Sequence, residues 1–112
     1  MQSSDKIILG KILNVIDDIE SDSAGLSKKL FMDAGVVKRA CGMSLIQIGE
    51  LSRHFSDGFV NANAGIPVKK MKGLRNAVAH GYESLDFEVV WSTIKTDVLD
   101  LKIKIKKLLE NS

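Results

Sequence analysis

The sequence predicts an all-α fold, an antiparallel four-helix bundle with a short extra helix. Three observations carry this expectation. Apolar residues return at alternating spacings of 3 and 4 in several long segments, which is the period of one helix face. The chain is 45% hydrophobic but only 5% aromatic, so its core must be built from Ile, Leu, Val and Met. The breaks between periodic segments are short, which makes successive helices antiparallel neighbours. With 112 residues, residues 1–112 make a single domain, large enough to bury roughly two-thirds of its unfolded surface without staples.

Ser3, Ser4 and Asp5 offer N-caps for a first helix, whose core line is Ile8, Ile12, Val15 and Ile19. The run from Ser21 to Gly25 breaks it. Residues 27–32 predict a short second helix, with Asp33 capping the next. The third helix carries the line Leu30, Ala34, Val37, Cys41, Ser44, Ile48, Leu51 and Phe55. Beside this seam Gly35, Gly42 and Gly49 recur every seven residues. A mid-helix glycine costs about 1 kcal/mol against alanine, so the stripe implies close approach of another backbone. Both a subunit interface and tight packing within one bundle satisfy it. Residues 56–65, with two Asn and two Gly, read as a connecting loop. Pro67 suits the first position of a helix running to about His80 or Gly81. Asp86 can cap a last helix with the line Phe87, Trp91, Ile94, Val98, Leu101, Ile105 and Leu108.

Cys41 is the only cysteine, which excludes an internal disulfide and a cysteine-rich zinc site and fits a reducing cytosol. It reads as a small core residue. No secretory leader and no membrane-length apolar run is visible, so the expected setting is cytoplasmic.

Charge is uneven. From Gly58 to Tyr82 there is no Asp or Glu, and Lys69, Lys70, Lys72 and Arg75 give the segment +4, against +2 for the whole chain. The stretch Arg75-Asn76-Ala77-Val78-Ala79-His80-Gly81-Tyr82 places a permanent cation, an amide, an imidazole and a phenol within eight residues. Such a grouping suits a polyanion whose phosphate is held while protons move. On a regular helix Met71, Leu74 and Val78 share one face. Lys69, Lys72, Asn76 and His80 fall opposite within an arc of about 80°, so His80 lies off the core stripe; a functional imidazole and a merely solvated one both fit there. Arg75 and His80 stand about 140° apart on such a helix. A two-fold axis beside the helix would resolve this by bringing two copies of each residue together.

The chemistry that fits is RNA strand scission, in which a base takes the 2′-hydroxyl proton and an acid protonates the departing 5′ oxygen. No metal or other cofactor is expected, because two His without clustered carboxylates make a poor ligand set. Asn76 can orient the imidazole or a phosphate oxygen, and Lys69, Lys70 and Lys72 can bind RNA.

Arg75-Asn76, His80 and Gly81-Tyr82 in this spacing resemble the RX4HXY motif of ribonuclease toxins with a HEPN domain, specifically the HepT-like branch. Ile46-Gln47-Ile48-Gly49-Glu50, Ile66-Pro67, Met71-Lys72-Gly73-Leu74 and Asp86 followed by Val90-Trp91 resemble further signatures of that branch, in order along nearly the whole chain. Val68 after Pro67, and the lack of a proline after Asp97, depart from it. The resemblance implies a homodimeric HEPN-like bundle with a composite cleft, metal-independent endoribonuclease activity carried by Arg75 and His80 with Asn76 in support, and a nucleotidyltransferase-type antitoxin of the MntA kind as partner. It also implies that Tyr82 is the position such an antitoxin modifies with AMP.

A different class of function also fits this sequence: a non-catalytic substrate-binding subunit of a small nucleotidyltransferase, in which the basic cleft only holds substrate. So does a plain interaction bundle whose lysines are solvated. Several residues take plainer readings. His54 faces solvent beside Arg53, and Glu50 bonds near helix junctions rather than acting as a base. Lys102, Lys104, Lys106 and Lys107 favour the last helix's C-terminal dipole, and Asp17, Asp18, Glu20 and Asp22 form a solvated acidic end.

Overall fold

A computed structural model describes residues 1–80 and 84–112, with the side chains of His80 and Ser84 outside the description. The fold is all-α, as the sequence predicts. Among the described residues eight helices run in order: α1 (Ser3–Ser23), α2 (Lys28–Asp33), α3 (Gly35–Ser52), α4 (Asp57–Ala62), α5 (Val68–Lys72), α6 (Leu74–Val78), α7 (Phe87–Lys95) and α8 (Asp97–Glu110). A two-residue antiparallel pairing, β1 (Ala79–His80) with β2 (Ser84–Leu85), joins α6 to α7, with Ala79 opposite Leu85.

The long helices form as their periodicity requires. Ile8, Ile12, Val15 and Ile19 of α1 are all buried. Helix α1 ends where Ala24 turns out of the helix and Gly25 takes φ +75°, a left-handed backbone that glycine adopts without a Cβ penalty. Ser27 caps α2 by accepting the Leu30 N–H, and Asp86 caps α7 by accepting the Val89 N–H. Helix α3 is the hub: it packs on α1 on one side and on α5, α6 and α7 on the other. Its Cys41, Leu45 and Ile48 are fully buried, and burial, with Asp22 adding to it, pushes the Cys41 thiol up to about 11. On α8, Val98, Leu101 and Ile105 complete the core. Lys102 reaches back to Glu20 and Asp17 of α1, and its hydrogen bond to Glu20 raises its pKa.

Several elements differ from the sequence expectation. Residues 56–65 are not simply a loop, because they contain α4, capped by the Ser56 hydroxyl on the Phe59 N–H. The cap is itself anchored: Asp5 is buried and accepts hydrogen bonds from the Ser56 N–H (2.9 Å) and hydroxyl (2.7 Å). Asp5 therefore locks the start of α1 to α4 instead of capping its own helix, which begins after Gln2 with no side-chain cap. Asp33 ends α2 and does not cap α3. Leu30 is 54% exposed, because it belongs to α2 and the α3 seam starts later.

The expected last helix is interrupted at Thr96, whose hydroxyl donates to the Ser92 carbonyl (2.7 Å). Back-bonding of this kind bends helices, and Thr96 leaves helical geometry at φ −121°, ψ −68°. The expected helix from Pro67 is likewise cut in two at Gly73, and it stops at Val78 rather than His80 or Gly81. Ala79 is extended, and the Val78 carbonyl accepts the N–H of Asp86.

The glycine stripe has its explanation inside one chain. A Cβ on Gly42 would lie 2.6 Å from Leu85 Cδ1, and one on Gly49 would lie 3.0 Å from the Met71 carbonyl oxygen. Both glycines admit neighbouring segments of the same bundle, so the packing reading holds at these two positions.

Candidate functional site

The site is built where α5 and α6 cross α3. Met71, Leu74 and Val78 are buried against the bundle, which fixes the two short helices despite their length. Lys69, Lys72, Arg75 and Asn76 are exposed on them. The division into apolar and polar faces expected of a single helix thus survives the break at Gly73. That glycine keeps helical φ and ψ (−80°, −5°), and its N–H is shared between the Lys69 and Lys70 carbonyls.

Arg75 Nη1 lies 3.4 Å from Glu50 Oε1 on α3, and Arg53 Nη1 lies 3.6 Å from the other carboxylate oxygen. Glu50 therefore stands between two guanidiniums at the edge of the basic face. The Arg75 side chain is 65% exposed, so water screens this pair and the guanidinium remains open to an anion. Lys70 faces elsewhere, with its Nζ 3.3 Å from Asp97 Oδ2 at the start of α8. The structure accordingly sets Lys69, Lys72, Arg75 and Asn76 on the open face and pairs Lys70 with α8.

The backbone of His80 pairs with Ser84 between β1 and β2, while its side chain lies outside the described residues. Tyr82 lies outside them altogether. Because α6 ends at Val78, the 140° separation of Arg75 and His80 assumed from helical geometry does not apply. The helical wheel therefore gives no reason to require a second subunit. Among the described residues no three His, Cys, Asp or Glu side chains cluster as a metal site.

Glu50 is the residue whose place beside Arg75 the sequence pattern does not reveal. The signal lay next to it, in Gly49, where the α5–α6 backbone comes closest to α3: a Cβ there would meet the Met71 oxygen at 3.0 Å and the Arg75 nitrogen at 3.6 Å. His54 is exposed, as expected.

The family model of the HepT-like ribonucleases matches residues 12–108 of the chain. The chain belongs to this family. This HepT-like chain is 31% identical over 108 residues to a protein of Thermococcus cleftensis assigned by name as a ribonuclease HepT, covering 96% of the chain and 98% of that relative. It is 29% identical over 101 residues to a protein of Methanocaldococcus jannaschii assigned by name as an RNase, covering 90% and 93%. A bacterial relative from Caldanaerobacter subterraneus, again assigned as an RNase, is 28% identical over 86 residues, 77% of each chain. No solved structure matches the chain significantly. The HepT-like match spans Arg75, Asn76, His80 and Tyr82, and it spans Glu50 and the whole of α3.

Proposed function

We infer that this HepT-like chain is the toxin of a toxin–antitoxin pair, an endoribonuclease that cuts RNA without a metal ion. The observation that carries the reading is the family match over residues 12–108. Within that match, the motif residues Arg75 and Asn76 stand exposed beside Lys69 and Lys72. His80 acts on protons, taking one from a ribose 2′-hydroxyl or giving one to the departing oxygen. The hydroxyl oxygen bonds to phosphorus as the bond to the 5′ oxygen breaks, leaving a 2′,3′-cyclic phosphate on one fragment and a 5′-hydroxyl on the other. Arg75 neutralises charge that grows on the non-bridging oxygens, and Asn76 orients the phosphate or the imidazole. Two subunits compose the cleft, so that one imidazole serves as base while its mate serves as acid.

The partner that silences the toxin is a nucleotidyltransferase of the MntA kind, which transfers AMP to Tyr82. A phosphodiester added two residues from His80 competes with RNA phosphates for Arg75 and the lysines, by charge and by volume.

The test is cleavage of RNA in EDTA by wild-type protein and by Arg75→Ala and His80→Ala. Wild type cuts and both variants lose at least ~100-fold, the lower range both for a positioned proton donor or acceptor and for a group that stabilises developing charge. Equal behaviour of wild type and His80→Ala would refute the ribonuclease reading and favour a non-catalytic substrate-binding subunit of a nucleotidyltransferase. Expression of the chain alone arrests growth, and Tyr82→Phe stays toxic but escapes AMP-dependent silencing. A Tyr82→Phe protein that is still silenced assigns the modification to another residue.

A further inference from the structure

Two shallow grooves meet at the segment joining α4 to α5. One, of about 370 Å³, lies between that segment and α8, bordered by Asn63, Gly65, Ile66, Lys104, Lys107 and Leu108. The other, of about 630 Å³, continues from Val60 and Ala64 past Pro67 to Lys69 and Lys70. They share Ala64 and Ile66. Among the described residues no Asp or Glu borders either groove. No described atom lies within 4 Å of where a Cβ on Gly65 would stand, so the backbone there is open to a ligand.

The chemistry of the rims and floors points to one kind of partner. Lys104 pairs with Asp100 at 2.8 Å and Lys70 with Asp97 at 3.3 Å. Both pairs are exposed and screened by water, so their ammonium groups stay open to a phosphate. Lys69 and Lys107 have no ion-pair partner among the described residues. Ile66, Pro67 and Leu108 offer apolar walls between the cations, and Asn63 and Asn111 offer amides. Such alternation suits a polymer with a phosphate at every repeat and a flat apolar ring beside it. Among the described residues no aromatic ring borders the grooves, so phosphate contacts dominate there. Binding of this sort is salt-dependent and tolerant of sequence. Lys69 also begins the exposed row that continues through Lys72 to Asn76, beside Arg75.

We propose that these two grooves form a guide for single-stranded RNA, holding its phosphates between α8 and the α4–α5 segment and leading the strand to Arg75. The proposal rests on the ribonuclease reading for its direction, but its test reads binding alone. A 2′-O-methyl oligonucleotide lacks the attacking hydroxyl, so its affinity is measured whether or not the protein cuts RNA.

The experiment compares wild type, Lys104→Gln/Lys107→Gln and Lys106→Gln by fluorescence anisotropy, with labelled 2′-O-methyl strands of about 5 and about 20 nucleotides at several salt concentrations. Lys106 is exposed on the same helix but borders neither groove. Loss of two phosphate contacts flattens the slope of log affinity against log salt by about 1.4. Between about 50 and 200 mM salt, wild type then loses about sevenfold more affinity for the long strand than the double variant does. The short strand and Lys106→Gln show no such change. An equal effect of Lys106→Gln would overturn the guide, because net charge alone would account for binding. Displacement of the long strand by poly-glutamate of matched charge would overturn it in favour of an acidic protein partner. Failure of the cleavage test with this binding result intact removes the ribonuclease reading and leaves the groove.

Discussion

Gly49→Ala tests how α5 and α6 are held against α3. The new Cβ would stand 3.0 Å from the Met71 carbonyl oxygen, 3.6 Å from the Arg75 nitrogen and 3.6 Å from Leu74 Cβ. Carbon contacts are most favourable near ~3.5–4.0 Å, so the carbonyl must retreat by about 0.5 Å. It is backbone, and α5 must move with it. Overpacking of this kind costs about 1–3 kcal/mol, while alanine in a helix interior recovers about 1 kcal/mol over glycine. The expected net is a loss of about 1 kcal/mol, or about 4 °C in Tm for a chain of this size. Two other glycines calibrate the measurement. At Gly42 the clash is with Leu85 Cδ1 at 2.6 Å, the far end of a half-buried side chain that can turn away, so gain and cost nearly cancel. At Gly10 no described atom lies within 4 Å, so alanine stabilises by up to about 1 kcal/mol. Urea unfolding followed by far-UV circular dichroism should rank Gly10→Ala above Gly42→Ala and Gly42→Ala above Gly49→Ala. A Gly49→Ala protein as stable as Gly10→Ala refutes the close packing of α5 on α3.

Other expectations follow from the same contacts. Asp5→Ala removes both acceptors of the Ser56 bonds; hydrogen bonds to a charged group are worth about 1.5–3 kcal/mol. A loss below about 1 kcal/mol in urea unfolding argues against the tie, and a double-mutant cycle with Ser56→Ala separates the two ends of it. The Cys41 thiol has its pKa pushed from 9.0 to about 11 in the folded chain, so the native state binds the proton more tightly. Stability is then full below pH 9 and falls as pH rises towards 11; Cys41→Ala should show a shallower decline over that window, and identical profiles exclude a contribution from the thiol. Glu50→Gln removes a carboxylate 3.4 Å from Arg75. This exposed pair contributes below about 1 kcal/mol, so Tm should barely move, whereas RNA affinity rises because the guanidinium no longer has an anionic competitor. Unchanged or weaker affinity would show that Glu50 orients Arg75 instead.

Much of the fold was legible because a helix face is a local property. The spacing of Ile8, Ile12, Val15 and Ile19 is enough to bury them together, and Asp86 carries its own reason to start a helix. The polar face of α5 and α6 was legible for the same reason, since the charged or amide heads of Lys69, Lys72 and Asn76 keep them in water. Helix breaks were harder. Gly73 and Thr96 are both tolerated within helices, so residue type alone does not mark a break at either position. Helix α4 carries no periodic signal because six residues are less than two helical turns. Its cap depends on Asp5, 51 positions away.

The chain's order of apolar and basic residues determined the all-α class, the position of the core and the motif whose Arg75 marks the candidate site, since each follows from short-range periodicity and composition. Tertiary packing alone decided that α6 stops at Val78, that Gly42 and Gly49 serve contacts within one bundle, and that Glu50 sits beside Arg75. Glu50 and Arg75, for example, stand 25 positions apart in the chain. The existence of such contacts depends on which surfaces the whole bundle brings within van der Waals distance, which no local window contains.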